Sequence, residues 1–105
     1  MTSTKQKFTT QLNDLNMVEL PKVLVEQLNV GFRTKVALTT KDNKILITEA
    51  KIQYPYTRAV DEFNRVVVPK ALMQLMNWPA NAKLDIQSYN EKSISIKLHN
   101  PLVVL

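Results

Sequence analysis

An internal repeat restricts what this chain can fold into more than any other feature. With Pro21 set against Pro69, an offset of 48 residues, LNDLNMVELPKVLVEQLNV (12–30) lies over VDEFNRVVVPKALMQLMNW (60–78). Asn16/Asn64, Val18/Val66, Lys22/Lys70, Leu24/Leu72 and Asn29/Asn77 coincide, and the same offset reaches Lys35/Lys83 and Lys44/Lys92. Apolar character also matches at Leu15/Phe63, Leu20/Val68, Leu28/Met76, Val36/Leu84 and Leu38/Ile86. A fixed period of this kind marks one supersecondary unit used twice. The chain therefore reads as a single domain of two pseudo-repeats, 7–50 and 55–98, followed by an apolar tail over 99–105.

Each unit can be read locally. Phe8 to Leu12 and Thr57 to Val60 have the β-branched and aromatic character of a short strand. NDLN and DEFN then supply turn chemistry, with Asn16 and Asn64 placed to accept a positive φ. A second strand follows in each unit: MVEL alternates, whereas RVVV is continuously apolar and reads as more buried. Pro21 and Pro69 suit the first turn of a helix, where a missing N–H removes no hydrogen bond. Leu24 and Leu28, and in the second unit Leu72, Leu75 and Met76, give that helix one apolar face. Gly31 is expected to end the first helix and Pro79 the second. Two strands around a polar turn close each unit: KVALTT, KDN, KILITE, then KLDIQS, YNE, KSISIKL, with Leu84, Ile86, Ile94, Ile96 and Leu98 inward. The pattern is ββαββ, repeated, giving a mainly β protein with two short helices. One unit of fewer than 50 residues leaves a sheet face wet, so the two must combine.

The remaining composition excludes more than it assigns. The 105 residues contain no cysteine, which removes disulfides and thiolate metal or redox chemistry. One glycine rules out both G-x-x-x-x-G-K and G-x-G-x-x-G phosphate loops. His99 is the one histidine and the carboxylates are dispersed, so no catalytic constellation, metal site or cofactor site is expected and the chain does not read as an enzyme. No apolar run is long enough to span a bilayer and MTSTKQKFTTQ lacks a signal-peptide core, which points to a cytoplasmic protein with no membrane association. A net charge of +5 favours a polyanionic partner.

TRAVDEFNRVVVPKALMQLMNWPANAKLDIQ, with KSISIKL after it, resembles the SpoVT/AbrB superfamily of swapped-hairpin proteins, whose units run strand, D-x-x-G-R turn, strand ending in proline, short helix, hairpin. VPKALMQLMNW is also similar to the corresponding helix of MazE-type antitoxins, and tandem copies in one chain occur in MraZ-like members. The resemblance covers the whole second unit and, more loosely, NMVELPKVLVEQLNV and the hairpin after it. It implies an AbrB-like pseudo-dimeric barrel made by interleaved hairpins, and a transcriptional regulator that contacts double-stranded DNA. By position, Arg58 in the first strand and Arg65 at the turn match the family's DNA-facing arginines, and Asp61 matches the turn aspartate. Guanidinium groups suit this work because they bind phosphate bidentately or read guanine. Lys5 and Lys7 near the N-terminus, with Lys22 and Lys70 at the helix starts, are further phosphate-contact candidates.

Departures from the family pattern bear on that role. The turn glycine is Asn64 here and Asn16 in the first unit. The first unit carries Thr10 and Met17 where the second has Arg58 and Arg65, so its basic turn is degenerate. The arginine pair of AbrB-like helices is replaced by Met73 and Gln74, and by Val25 and Glu26. A symmetric DNA-binding face is therefore not expected; either a homodimer presents two basic turns, or one side binds alone.

Blander roles stand beside these. Asp61 and Arg65 also suit an ion pair that closes the turn, and Lys22 and Lys70 suit solvated helix starts. Met73, Met76 and Trp78 suit core packing, and Tyr54 and Tyr56 around Pro55 suit a stiff connection. The alternative function is a non-catalytic protein-binding module, antitoxin-like or regulator-binding, acting through a barrel edge and the apolar tail Leu102, Val103, Val104, Leu105.

Overall fold

A computed structural model of the chain describes residues 7–51 and 55–99. Their order is β1 (Phe8–Gln11), β2 (Met17–Glu19), α1 (Lys22–Leu28), β3 (Lys35–Lys41), β4 (Lys44–Glu49), β5 (Thr57–Ala59), β6 (Arg65–Val67), α2 (Lys70–Leu75), β7 (Lys83–Asn90) and β8 (Ser93–Leu98). Six strands form a curled antiparallel half-barrel in the order β1-β7-β8-β4-β3-β5, and β2 pairs with β6 in a separate ribbon. Lys5, Tyr54 and the tail residues Leu102, Val103, Val104 and Leu105 lie outside the described residues.

The pairing exchanges the halves. β1 of the first half lies against β7 of the second, Phe8 opposite Ile86, while β5 of the second lies against β3 of the first, Val36 opposite Arg58. In the ribbon, Val18 pairs with Val66, its own counterpart in the repeat, and both are fully buried. β4 and β8 meet at the sheet centre through Ile45↔Ile96 and Ile47↔Ile94, four side chains with no exposed surface. One hydrophobic cluster runs through both halves, from Leu12 and Val18 to Ile94 and Ile96, and neither half has a core of its own.

Matching residues take matching backbone conformations. Asn16 and Asn64 have φ of 62° and 61° in the β1–β2 and β5–β6 turns, where an Asn side chain tolerates the left-handed region at small penalty. Pro21 and Pro69 precede the helices as N-caps, with ψ near 140°. Each presents its carbonyl to the first helical amides, Leu24 and Val25 in one case and Leu72 and Met73 in the other. Val25 and Met73 join Leu24, Leu28 and Leu72 in the core, and Trp78 is also buried.

Several sequence expectations need correction. The helices end not at Gly31 and Pro79 but at Asn29, the left-handed C-cap of α1, and at Met76, the right-handed C-cap of α2 that Asn77 follows; Asn29 and Asn77 both have φ of 59°, and Gly31 has a negative φ. Asparagine is the other residue that readily takes a left-handed conformation at a helix end, and in both units it lies closer to the last helical turn than Gly31 or Pro79 does. RVVV alternates just as MVEL does: Val66 and Val68 are buried and Val67 is half-buried. Leu75 and Leu98 face outward at 64% and 39% exposure, because a six-residue helix has one inward stripe and β8 leaves the core before its last residue. Leu15 and Phe63, also apolar in both units, are exposed turn residues. The second hairpin holds one more residue than the first, a bulge between Ser88 and Asn90, so strand β7 runs through most of the expected YNE turn. Beyond the bulge the repeat shifts to an offset of 49, and Ser93 rather than Lys92 is the structural counterpart of Lys44.

Candidate nucleic-acid interface

The turn between β5 and β6 is built around Asp61. Its Oδ1 accepts the backbone N–H of Phe63 at 2.9 Å and of Arg65 at 2.7 Å, and its Oδ2 accepts Arg65 Nε–H at 2.8 Å. Burial raises the Asp61 pKa, but the Arg65 main-chain N–H, the Arg65 side chain, the Phe63 N–H and the Arg65 charge together lower it below the usual carboxylate value. The Arg65 guanidinium carbon also lies 4.9 Å from the centroid of the exposed Phe63 ring. Arg65 is thus held in one geometry with part of its donor fork unspent, which lowers the entropy lost on binding an oxyanion.

The first-half turn keeps this backbone without the charge. Asn13 Oδ1 accepts the N–H of Leu15 and of Met17, each at 2.9 Å, as Asp61 does for Phe63 and Arg65. An amide oxygen closes the turn as well as a carboxylate, so the Asp61–Arg65 ion pair is not required for the turn itself.

Because strands cross between halves, each turn is surrounded by residues of the other half. Leu20 N–H donates to Asn64 carbonyl at 2.8 Å, which brings α1 and Lys22 to the second-half turn; Val68 N–H donates to Asn16 carbonyl, which brings Lys70 to the first-half turn. Arg33 N–H donates to Val60 carbonyl at 2.7 Å and Val60 N–H to Thr34 carbonyl at 2.9 Å, clamping the Arg33–Thr34 segment beside Asp61. Arg58 is half-buried at the rim of the core, opposite Val36, with its Nη1 donating to Thr57 carbonyl at 2.9 Å. Backbone pairing therefore brings the segments that carry Arg33, Arg58 and Arg65, with Lys22 and Lys35, around the second-half turn at one pole of the molecule. Their counterparts at the other pole are Asn81, Thr10 and Met17, with Lys70 and Lys83.

Not every candidate joins this cluster. Lys7 lies on the opposite sheet edge from Arg58, its Nζ 3.9 Å from Asp85 Oδ2. Lys22 and Lys70 are exposed and, among the described residues, lie within 4 Å of no carboxylate. Anions also reach the arginine-rich pole: Asp61 and Glu62 lie in the turn, and Glu19 stands directly opposite Arg65 in the ribbon. The poles thus differ in guanidinium content, three against none, more than in net charge. Arg33, Phe32 and the turn-forming Asn13 were not legible as site residues. Arg33 sits against Asn81 at the repeat offset, a contrast that acquires meaning only once the cross-half pairing is known.

No helix among the described residues is long and apolar enough to cross a membrane. Comparison with family models, curated proteins and solved structures found no match.

Proposed function

We propose that this chain is a DNA-binding transcriptional regulator of the SpoVT/AbrB kind, whose exchanged strands make a tandem swapped-hairpin barrel and whose β5–β6 turn approaches duplex DNA. The observation that carries this reading is the half-buried Arg65, pinned by Asp61 in the turn that follows the strand of Arg58. A pre-organised guanidinium with donors left free is suited to engage a phosphate or a guanine edge. Support for the fold comes from the antiparallel exchange of β1 and β5 and from the ribbon in which Val18 meets Val66. The Asp61 carboxylate orients Arg65 rather than consuming it, since only Nε is bonded to it within hydrogen-bond distance.

The test is fluorescence anisotropy of the purified protein with a labelled duplex from its own upstream region, across a salt series, beside correctly folded Arg65→Ala and Arg58→Ala proteins. Binding should weaken steeply with salt, with a slope of about −0.9 per phosphate neutralised. Each variant should lower both affinity and slope. An absence of binding at low salt would sink the proposal and favour the protein-binding reading, under which the arginines only shape the turn.

A further inference from the structure

We infer that DNA is held at one pole of each chain only, and that Arg33 of the first half is a third phosphate-binding guanidinium there, beside Arg58 and Arg65. The inference rests on the DNA-binding reading and assigns to it a residue, a side of the molecule and a stoichiometry.

Backbone geometry is the first support. Arg33 has φ of 74°, a conformation in which arginine is strained and asparagine is favoured, and its repeat counterpart Asn81 occupies the same region at 55°. At the first-half pole the expected residue type is present; at the second it has been exchanged for a cation. Strain of this sort collects where a side chain has work outside the fold.

The surroundings of the two residues point the same way. Asn81 helps to close its own pole. Its Nδ2 donates to Leu12 carbonyl at 3.1 Å and to Asp14 Oδ1 at 3.0 Å, and its main-chain carbonyl accepts Gln11 Nε2–H at 3.0 Å. Arg33 has no carboxylate within 4 Å among the described residues; its guanidinium lies 4.9 Å from the centroid of the Phe32 ring, which is 56% exposed. A cation resting on an exposed ring keeps its donors and its full charge while losing some freedom of motion, which suits capture of a phosphate. Since Arg33 and Thr34 are bonded through their main chains to Val60, the residue before Asp61, the Arg33 segment borders the Asp61–Arg65 turn.

A duplex phosphate backbone is the partner these groups fit, because three guanidinium groups on adjacent segments match a row of regularly spaced anions and form no enclosed pocket. One chain then covers one side of a site. Two chains are needed for a palindromic one.

The experiment compares Arg33→Asn, which installs the residue found at the other pole, with Arg33→Gln and with Lys83→Gln, which removes a cation of the other pole, each checked for cooperative thermal unfolding. Anisotropy with a short labelled duplex is read as log affinity against log salt. Arg33→Asn and Arg33→Gln are expected to make the slope shallower by about 0.9, with a similar loss on specific and scrambled duplexes, and Lys83→Gln to leave it unchanged. Wild-type slope in both folded Arg33 variants, with Arg65→Ala still impaired, would remove Arg33 from the interface while leaving the DNA reading intact. An equal loss in Lys83→Gln would overturn one-sided binding. A wild-type protein that binds no duplex would take both conclusions down together.

Discussion

At the scale of single residues, asparagine is the repeated device of this fold. Asn16 and Asn64 turn the chain between consecutive strands, Asn29 caps α1 and Asn77 turns the chain just past the α2 cap, all with φ near 60°. Asn64→Ala should therefore destabilise the protein by about 1 kcal/mol, while Asn64→Gly should come close to wild type; urea unfolding of the three proteins measures the difference. Asp85 is a second residue-scale feature. It is 5% exposed, accepts Thr9 Oγ1–H at 3.1 Å, lies 2.9 Å from His99 Nδ1 and faces Lys7. Burial raises its pKa, but the hydrogen bonds to His99 and Thr9 and the charges of His99 and Lys7 lower it overall. A carboxylate with a depressed native pKa contributes stability above its unfolded value of about 3.9 and loses it as pH falls through the lower native value. Asp85→Asn should thus unfold at lower urea than wild type at neutral pH, and the gap should narrow as pH falls below about 4.

At the scale of elements, the β2–β6 ribbon carries two consequences. Val18 and Val66 meet at its centre with no exposed surface, so Val18→Ala should cost about 2 kcal/mol through lost burial and the cavity left behind. Because the two side chains share that cavity, Val18→Ala with Val66→Ala should depart from additivity in the same unfolding measurements. The ribbon also sets Glu19 opposite Arg65. Under the proposed function this carboxylate opposes an approaching phosphate, and Glu19→Gln should tighten duplex binding about twofold at low salt, with less effect as salt rises. An unchanged affinity would mean that the DNA backbone passes away from the ribbon.

At the scale of the whole molecule, neither half closes its own sheet. Each first strand finds its partner in the other half, β1 on β7 and β5 on β3, and the core has no internal division. Residues 1–51 expressed alone should therefore lack cooperative thermal unfolding as a monomer, and mixing them with 55–105 should restore strand circular dichroism and a sharp transition at one-to-one stoichiometry. Independent folding of either half as a monomer would contradict the exchange.

The periodicity of the chain was enough to count the strands and helices, to pair the halves at an offset of 48 and to mark Asn16, Asn64, Asp61 and Arg65 at their turns, because alternation, capping and turn chemistry are local properties of consecutive residues. Local rules failed where a neighbour in space overrode them. Gly31 looked like a helix stop until Asn29 supplied the left-handed cap first, and Leu98 continued an alternation past the point where the sheet leaves the core. Lys44 and Lys92 matched by number across a bulge that shifts the frame. The arginine-rich pole lay furthest from reach: Arg33 follows α1 in the first half, and a backbone bond to Val60 is what brings it to Asp61. Such pairings, set by which strands share a sheet, decide where charge accumulates, and no stretch of consecutive residues encodes them.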